Sequence, residues 1–187
     1  MFSKTISLSP RAAFLFFIFW LLLMSLLFDL WPVILAKEDW ATITHSQYGF
    51  VVDYPTKWVA KTYGEHGYHG IENQKLRIYP PLGDTYITFR YTFSSEPSLE
   101  SAAMRGSFNL DRFRDVEAFA ESSLQEDAIR GIPILRRKYR VENLMFEDVY
   151  IARSEDIIII TMQSSVSNFD KDYDEFEAIV DSFRPLD

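Results

Sequence analysis

Hydrophobic and polar positions fall into three regimes along the chain. Residues 12–28, "AAFLFFIFWLLLMSLLF", carry no charge, glycine or proline. A helix of that length rises roughly 25 Å, the short end of what crosses a hydrocarbon core, and the tail to Ala36 lengthens it past Asp29. Every face of it is apolar, which fits a buried core helix poorly. Lys4 and Arg11 precede the run, so the N-terminus is expected inside the cytoplasm and the body outside, with Trp31 at headgroup level. Residues 1–36 therefore read as a signal-anchor or transmembrane segment. Cleavage after Ala36 would place Ile34 and Ala36 at the small-residue positions, a partial match, and would leave a secreted or periplasmic protein.

The second regime has period two. Residues 37–45 form a polar lead-in and are read as a linker. "YGFVVDYP" then alternates, with Phe50, Val52 and Tyr54 on one face and Val51 and Asp53 on the other. Pro55 ends that strand, "TKWVAKTY" resumes it, and "KLRIY" and "TYITFRYTF" follow on either side of the turn "PPLGD". Period two returns later at "GIPILRRKYRV", "MFEDVYIA" and "IIIITMQSS". The last two are joined by the short polar connection "RSED", and Ile157 to Ile160, apolar on both faces, mark a central strand.

The third regime has helical period. "PSLESAAMRG" has Ser98 as a cap and Gly106 as a stop. "LDRFRDVEAFAESSLQ" aligns Phe113, Val116, Phe119, Ala120 and Leu124 on one stripe, and "SNFDKDYDEFEAIVDSF" does the same with Tyr173, Phe176, Ile179, Val180 and Phe183. The order strands, helix, strands, helix predicts an α+β fold, an antiparallel sheet flanked by helices and preceded by the apolar N-terminal helix. Without repeats or low-complexity linkers, residues 46–187 form one globular domain.

Charge narrows the partners. The chain of 187 residues has a net charge of −8, and beyond residue 36 it holds 17 basic against 26 acidic residues. Such a body is not expected to bind nucleic acid or a bare anionic membrane surface, both of which select clustered cations. Arg136, Arg137, Lys138 and Arg140 form a local basic run, expected on a solvated sheet face. There is no cysteine, which excludes disulfides, thiolate metal sites, cysteine nucleophiles and a lipidated N-terminal cysteine.

Three stretches together carry a family likeness: "YGFVVDYPTKW", "GIPILRRKYRV…DVYIA…IIIITMQSS" and "FEAIVDSFRP". They resemble the PsbP-like family, the extrinsic oxygen-evolving-complex protein of photosystem II and its exported bacterial relatives. Tyr54, Pro55 and Trp58 match its first motif, and Ser182 and Phe183 its last. The resemblance spans about residues 46–185. It implies an α/β/α sandwich around an antiparallel sheet and a non-enzymatic binding or assembly accessory, docking on a protein partner or membrane complex. Many bacterial relatives carry a lipidated cysteine where this chain has an apolar segment, and the photosystem role is not carried over.

Catalytic constellations are not apparent. No Gly-x-Ser-x-Gly elbow or phosphate-cradling glycine loop occurs, and the carboxylates fall mostly at solvent-facing helical spacings. The one cluster with metal-ligand chemistry is "YGEHGYHGIE", residues 63–72. His66 and His69 would share a face only in a helix, which Gly64, Gly67 and Gly70 disfavour, so convergence requires an irregular loop. Glu65, Glu72 or the distant His45 could then supply a third ligand for zinc or another divalent metal. Against this stands a solvent-exposed glycine loop, with no cofactor. A binding patch is the remaining candidate, if a row of Tyr86, Phe89, Tyr91 or Phe93 lies on an uncovered sheet face.

Overall fold

The computed structural model describes residues 10–35, 39–64, 74–93, 98–104, 124–154 and 156–186. Helix α1 runs over Pro10–Leu35. Its described side chains are those of Arg11 and residues 14–25, and among the described residues no helix is long and apolar enough to cross a membrane. The expected membrane span thus rests on the sequence.

The body is a mainly antiparallel α+β structure. Strands β3 (Val59–Thr62), β4 (Gln74–Tyr79), β5 (Tyr86–Phe93), β6 (Leu124–Ile129), β7 (Ile132–Val141), β8 (Leu144–Ala152) and β9 (Asp156–Ser165) form one sheet in the order β3-β4-β5-β9-β8-β7-β6. The Ile157–Ile160 block lies in β9, the middle strand, and all four isoleucines are buried. A smaller sheet has the order β1-β2-β10, from β1 (Trp40–His45), β2 (Phe50–Pro55) and β10 (Arg184–Pro185). Every pairing is antiparallel.

The two faces of the large sheet differ in chemistry. On one, Phe89, Val149, Ile158 and Ile160 meet Phe50 and Val52 of the small sheet and Phe176, Ile179, Val180 and Phe183 at the C-terminus. Helix α3 (Tyr173–Ser182), which lies against β2, supplies its apolar stripe as the sequence predicts. Each large side chain buried here contributes about 1.5–3 kcal/mol. On the other face the short helix α2 (Leu99–Met104) sets Ala102 and Ala103 against Leu135, Tyr150, Ile157 and Ile159.

The family-motif residues are scaffold. Trp58 is in the core, and its N–H closes a turn on the Pro55 carbonyl at 2.9 Å. The Ser182 hydroxyl accepts from the Asp53 N–H at 2.8 Å and donates to the Ile179 carbonyl at 2.7 Å, joining α3 to β2. Arg184 and Thr42 both donate to Asp53 Oδ1, at 2.9 and 2.6 Å.

Three expectations change. Residues 40–45, read as linker, are strand β1, paired with β2 from Trp40↔Pro55 to His45↔Phe50. Its inward side is Ala41, Ile43 and His45, too weakly apolar to announce a strand. The helix expected over 110–125 lies outside the described residues up to 123, and Leu124 and Gln125 begin strand β6 instead. The basic run is only half solvated. Arg136 and Arg137 are each 8% exposed. Arg136 pairs with Asp127, Glu147 and Glu177, at 2.9, 3.0 and 2.5 Å. Arg137 donates to the Ala103 carbonyl at the end of α2, at 3.1 Å.

Candidate functional site

Two groups of buried polar side chains stand out, one closed and one open. The closed one lies on the α2 face of the large sheet. Asp148 is fully buried, its Oδ1 accepting from Thr161 at 2.5 Å with an Arg90 amino group 3.7 Å away. Its Oδ2 accepts from the Tyr139 and Tyr150 hydroxyls, both at 3.2 Å. Burial pushes the Asp148 pKa up, against the pull of Arg90 and the three hydroxyl donors. Burial and the Asp148 charge push Tyr150 up as well. Both carboxylate oxygens have partners, so this group can hold the sheet together but presents no free atom to a substrate.

The open group begins where β1 ends. The chain turns from β1 to β2 through a 3₁₀ turn, Ser46–Tyr48, and Gly49 at φ 61°. A side chain at Gly49 would meet Arg153 Nη1 at 3.2 Å. Arg153 holds this turn: its Nη1 donates to the Tyr48 and Gly49 carbonyls at 2.8 and 2.7 Å. Its Nε and Nη2 grip Asp156 at 2.6 Å each. The turn thereby fixes His45, which is 7% exposed and packed against Tyr48 and Phe50, with ring centroids 4.9 and 5.3 Å away.

Lys75 approaches from the sheet. It is the extra residue of a β-bulge, since Gln74 pairs with Arg90 while Leu76 pairs with Phe89. Bulges re-aim side chains beside binding sites. The Lys75 ammonium lies 4.9 Å from the Tyr48 ring centre and donates to the Gly64 carbonyl at 3.3 Å. Its own carbonyl accepts from the Tyr63 N–H at 2.9 Å.

Beside His45 is a cleft of about 280 Å³, lined by Thr44, His45, Ser46, Gln47, Thr62, Tyr63 and Gly64. The His45 Nε2 is buried and has no hydrogen-bond partner among the described residues. Burial lowers the His45 pKa below the ordinary imidazole value and Lys75 lowers it further, while hydrogen bonds to the backbone of Lys75 and of His45 itself oppose them. The net effect favours a neutral ring.

Of the residues read as metal ligands, Glu65, His66, His69 and Glu72 lie outside the described residues; His45 is described. Among the described residues no three His, Cys, Asp or Glu side chains gather to hold a metal. The aromatic row divides: Phe89 and Tyr91 belong to the main core, while Tyr86 is half-buried under the Arg77 guanidinium, 3.8 Å from the ring centre. The His45 cleft was not legible as a site, because its strand was not read as a strand.

No family model matches the sequence, and no curated protein matches it. Solved structures do. A solution structure of cyanobacterial PsbP (CyanoP) from Synechocystis sp. PCC 6803 superposes with a TM-score of 0.56 over 81% of this chain and 95% of that one, at 12% identity. The chain has a PsbP-like fold. A crystal structure from Bacteroides thetaiotaomicron VPI-5482 matches with a TM-score of 0.50 and 12% identity, over 81% of this chain and 50% of that longer one. At these identities the likeness establishes the PsbP-like architecture alone.

Proposed function

We infer that the protein is a membrane-anchored, extracytoplasmic and non-catalytic accessory factor whose PsbP-like body docks on a protein partner or membrane complex. The observation that carries this is the fold match across nearly the whole of cyanobacterial PsbP. Members of the resembled family serve as binding or assembly accessories. The anchor is supported by the charge-free run 12–28 and by α1, on which Phe14, Leu15, Phe16, Phe17 and Leu22 are more than half exposed. Such a row is stable against lipid and a liability in water. Lys4 and Arg11 on the N-terminal side of the run support an outward-facing body. The test is crosslinking in intact membranes followed by recovery of the full chain in detergent. Retention in carbonate-washed membranes and recurrent capture of one protein complex are expected. A freely soluble chain, or a measurable turnover of a substrate with no partner, would refute it.

A second reading, a divalent metal held by Glu65, His66 and His69 with His45, is favoured by one observation: Gly64, from which that segment departs, lines the His45 cleft. Zinc titration followed at the histidine ring protons tests it, with all three rings expected to shift together.

A further inference from the structure

We propose, on the reading of α1 as a membrane anchor, that one end of the body rests on the lipid surface itself. Trp40, Leu82 and Val166 would sit in the headgroup and upper acyl region of the outer leaflet. Strand register builds this end from the start of β1, three turns and the segment after β9. Trp40 opens β1 opposite Pro55, the last residue of β2. Just beyond, the Thr56 N–H donates to the Asp39 carbonyl at 3.1 Å. β3 then starts at Val59 opposite Tyr79, where β4 ends and the turn to β5 begins. That turn is tied to the segment after β9, because Asn168 Nδ2 donates to Asp84 Oδ1 at 3.0 Å. Val166, in the same segment, donates its N–H to the Asn143 carbonyl of the β7–β8 turn at 3.1 Å.

Exposed apolar side chains concentrate here. Among the described residues of the body the large exposed ones are Trp40, Leu82, Val166 and Leu186, and only Leu186 lies at the opposite end, where its N–H donates to Gly49. Leu82, 76% exposed, is the most exposed of them. Pro80 and Pro81 fix φ on one side of it, so its presentation is preorganised. At the base of that turn lie Tyr79 and Tyr86, ring centres 6.0 Å apart, a residue type favoured at headgroup depth. The tether names the occupant. α1 ends at Leu35, five residues before Trp40, so the two lie no further apart than about 17 Å. A body tethered so closely sits at the interface, and the tether enters it at this end. Charge does not supply the attraction: exposed Lys57 and Lys171 are set among exposed Asp39, Glu142 and Asp170. Apolar burial supplies it, which favours an uncharged lipid surface over an anionic one.

The chain has no cysteine, so a single spin label can be placed at any exposed position. Leu22→Cys, Leu82→Cys, Val166→Cys and Leu186→Cys are labelled one at a time in the full chain, reconstituted in phosphatidylcholine nanodiscs. Collisions with oxygen and with a water-soluble nickel chelate then report depth. The label at 22 should lie in lipid, and the oxygen-to-nickel ratio at 82 and 166 should exceed that at 186 several-fold. Labels at 82 and 166 as aqueous as the one at 186, with 22 in lipid, overturn the proposal and leave the anchor standing. An aqueous label at 22 removes the anchor and the proposal with it. Protection of 82 in native membranes but not in lipid discs assigns this end to a protein partner, and overturns it too. Exchanging phosphatidylcholine for phosphatidylglycerol should lessen the immersion. A gain would mean that the cations make the contact, against the proposal.

Discussion

Asp148 and His45 are both buried ionisable groups, yet the protein treats them in opposite ways. Asp148 has a partner on each oxygen, with Arg90, Thr161 and Tyr139 converging from β5, β9 and β7 and Tyr150 from β8 itself. His45 lines a cleft, and its buried Nε2 has no hydrogen-bond partner among the described residues. A closed network is a fastening; an incomplete one keeps a buried acceptor available, and that costs stability. The difference separates a structural polar cluster from a candidate site without reference to any relative.

The largest test of this contrast is Asp148→Ala. Removing the acid takes the buried counter-charge from beside Arg90, which keeps its hydrogen bond to Thr161, and an acceptor from two phenols, and unfolding free energy should fall by about 3–5 kcal/mol in urea denaturation. A loss under about 1 kcal/mol would mean the network is not closed as described. Next is Arg153→Met, which cuts the ties to Tyr48 and Gly49 and leaves Asp156, 7% exposed, without its bidentate partner. Charged hydrogen bonds of this kind contribute about 1.5–3 kcal/mol, and the His45 ring signal should broaden as its turn loosens. An unchanged His45 signal would detach the clamp from the site.

Much of the fold could be read from periodicity because its apolar residues repeat at two or at 3.6 positions. β2, β5, β8, β9 and α3 all declared themselves that way. What escaped was polar. β1 has a histidine at its most buried position, and no hydrophobic signal marks it. Arg136 and Arg137 looked solvated because their partners Asp127, Glu147, Glu177 and Ala103 are distant in sequence or on other elements. The His45 cleft needed both failures resolved: a strand to bury the ring, and the Lys75 bulge beside it. Histidine counting along the chain pointed to residues 65–69 because proximity in sequence was the only measure available.

Acidification sharpens the comparison by sign. Asp53 is also set by its partners: burial would raise its pKa, but the Thr42 and Arg184 hydrogen bonds and the Arg184 charge prevail and hold it low. Its contribution is present above the ordinary value of 3.8 and is lost as pH falls through the depressed one. Asp148, raised, acts in the reverse direction, weakening the fold as pH climbs from 3.8 towards its folded value. His45, lowered, binds protons more readily unfolded than folded. Its stabilisation is therefore complete above the ordinary 6.5 and declines as pH falls towards the folded value. Denaturation midpoints should drop as pH falls below about 6.5 in the wild type.

The smallest effect is the most discriminating. His45→Phe keeps a ring beside Tyr48 and Phe50 while deleting the orphaned nitrogen, so stability at pH 7 should stay level or rise by up to about 1 kcal/mol. In the same variant the decline below pH 6.5 should flatten, which separates the loss of a titrating group from a change in packing. No substitution at Asp148 has that option, because four donors would remain buried around it. A stabilising replacement at one buried ionisable group and none at the other would separate a residue the fold does not need from one that it does. If His45→Phe instead unfolds the protein as severely as Asp148→Ala, the imidazole is a structural member like the acid, and the cleft beside it loses its claim to a ligand.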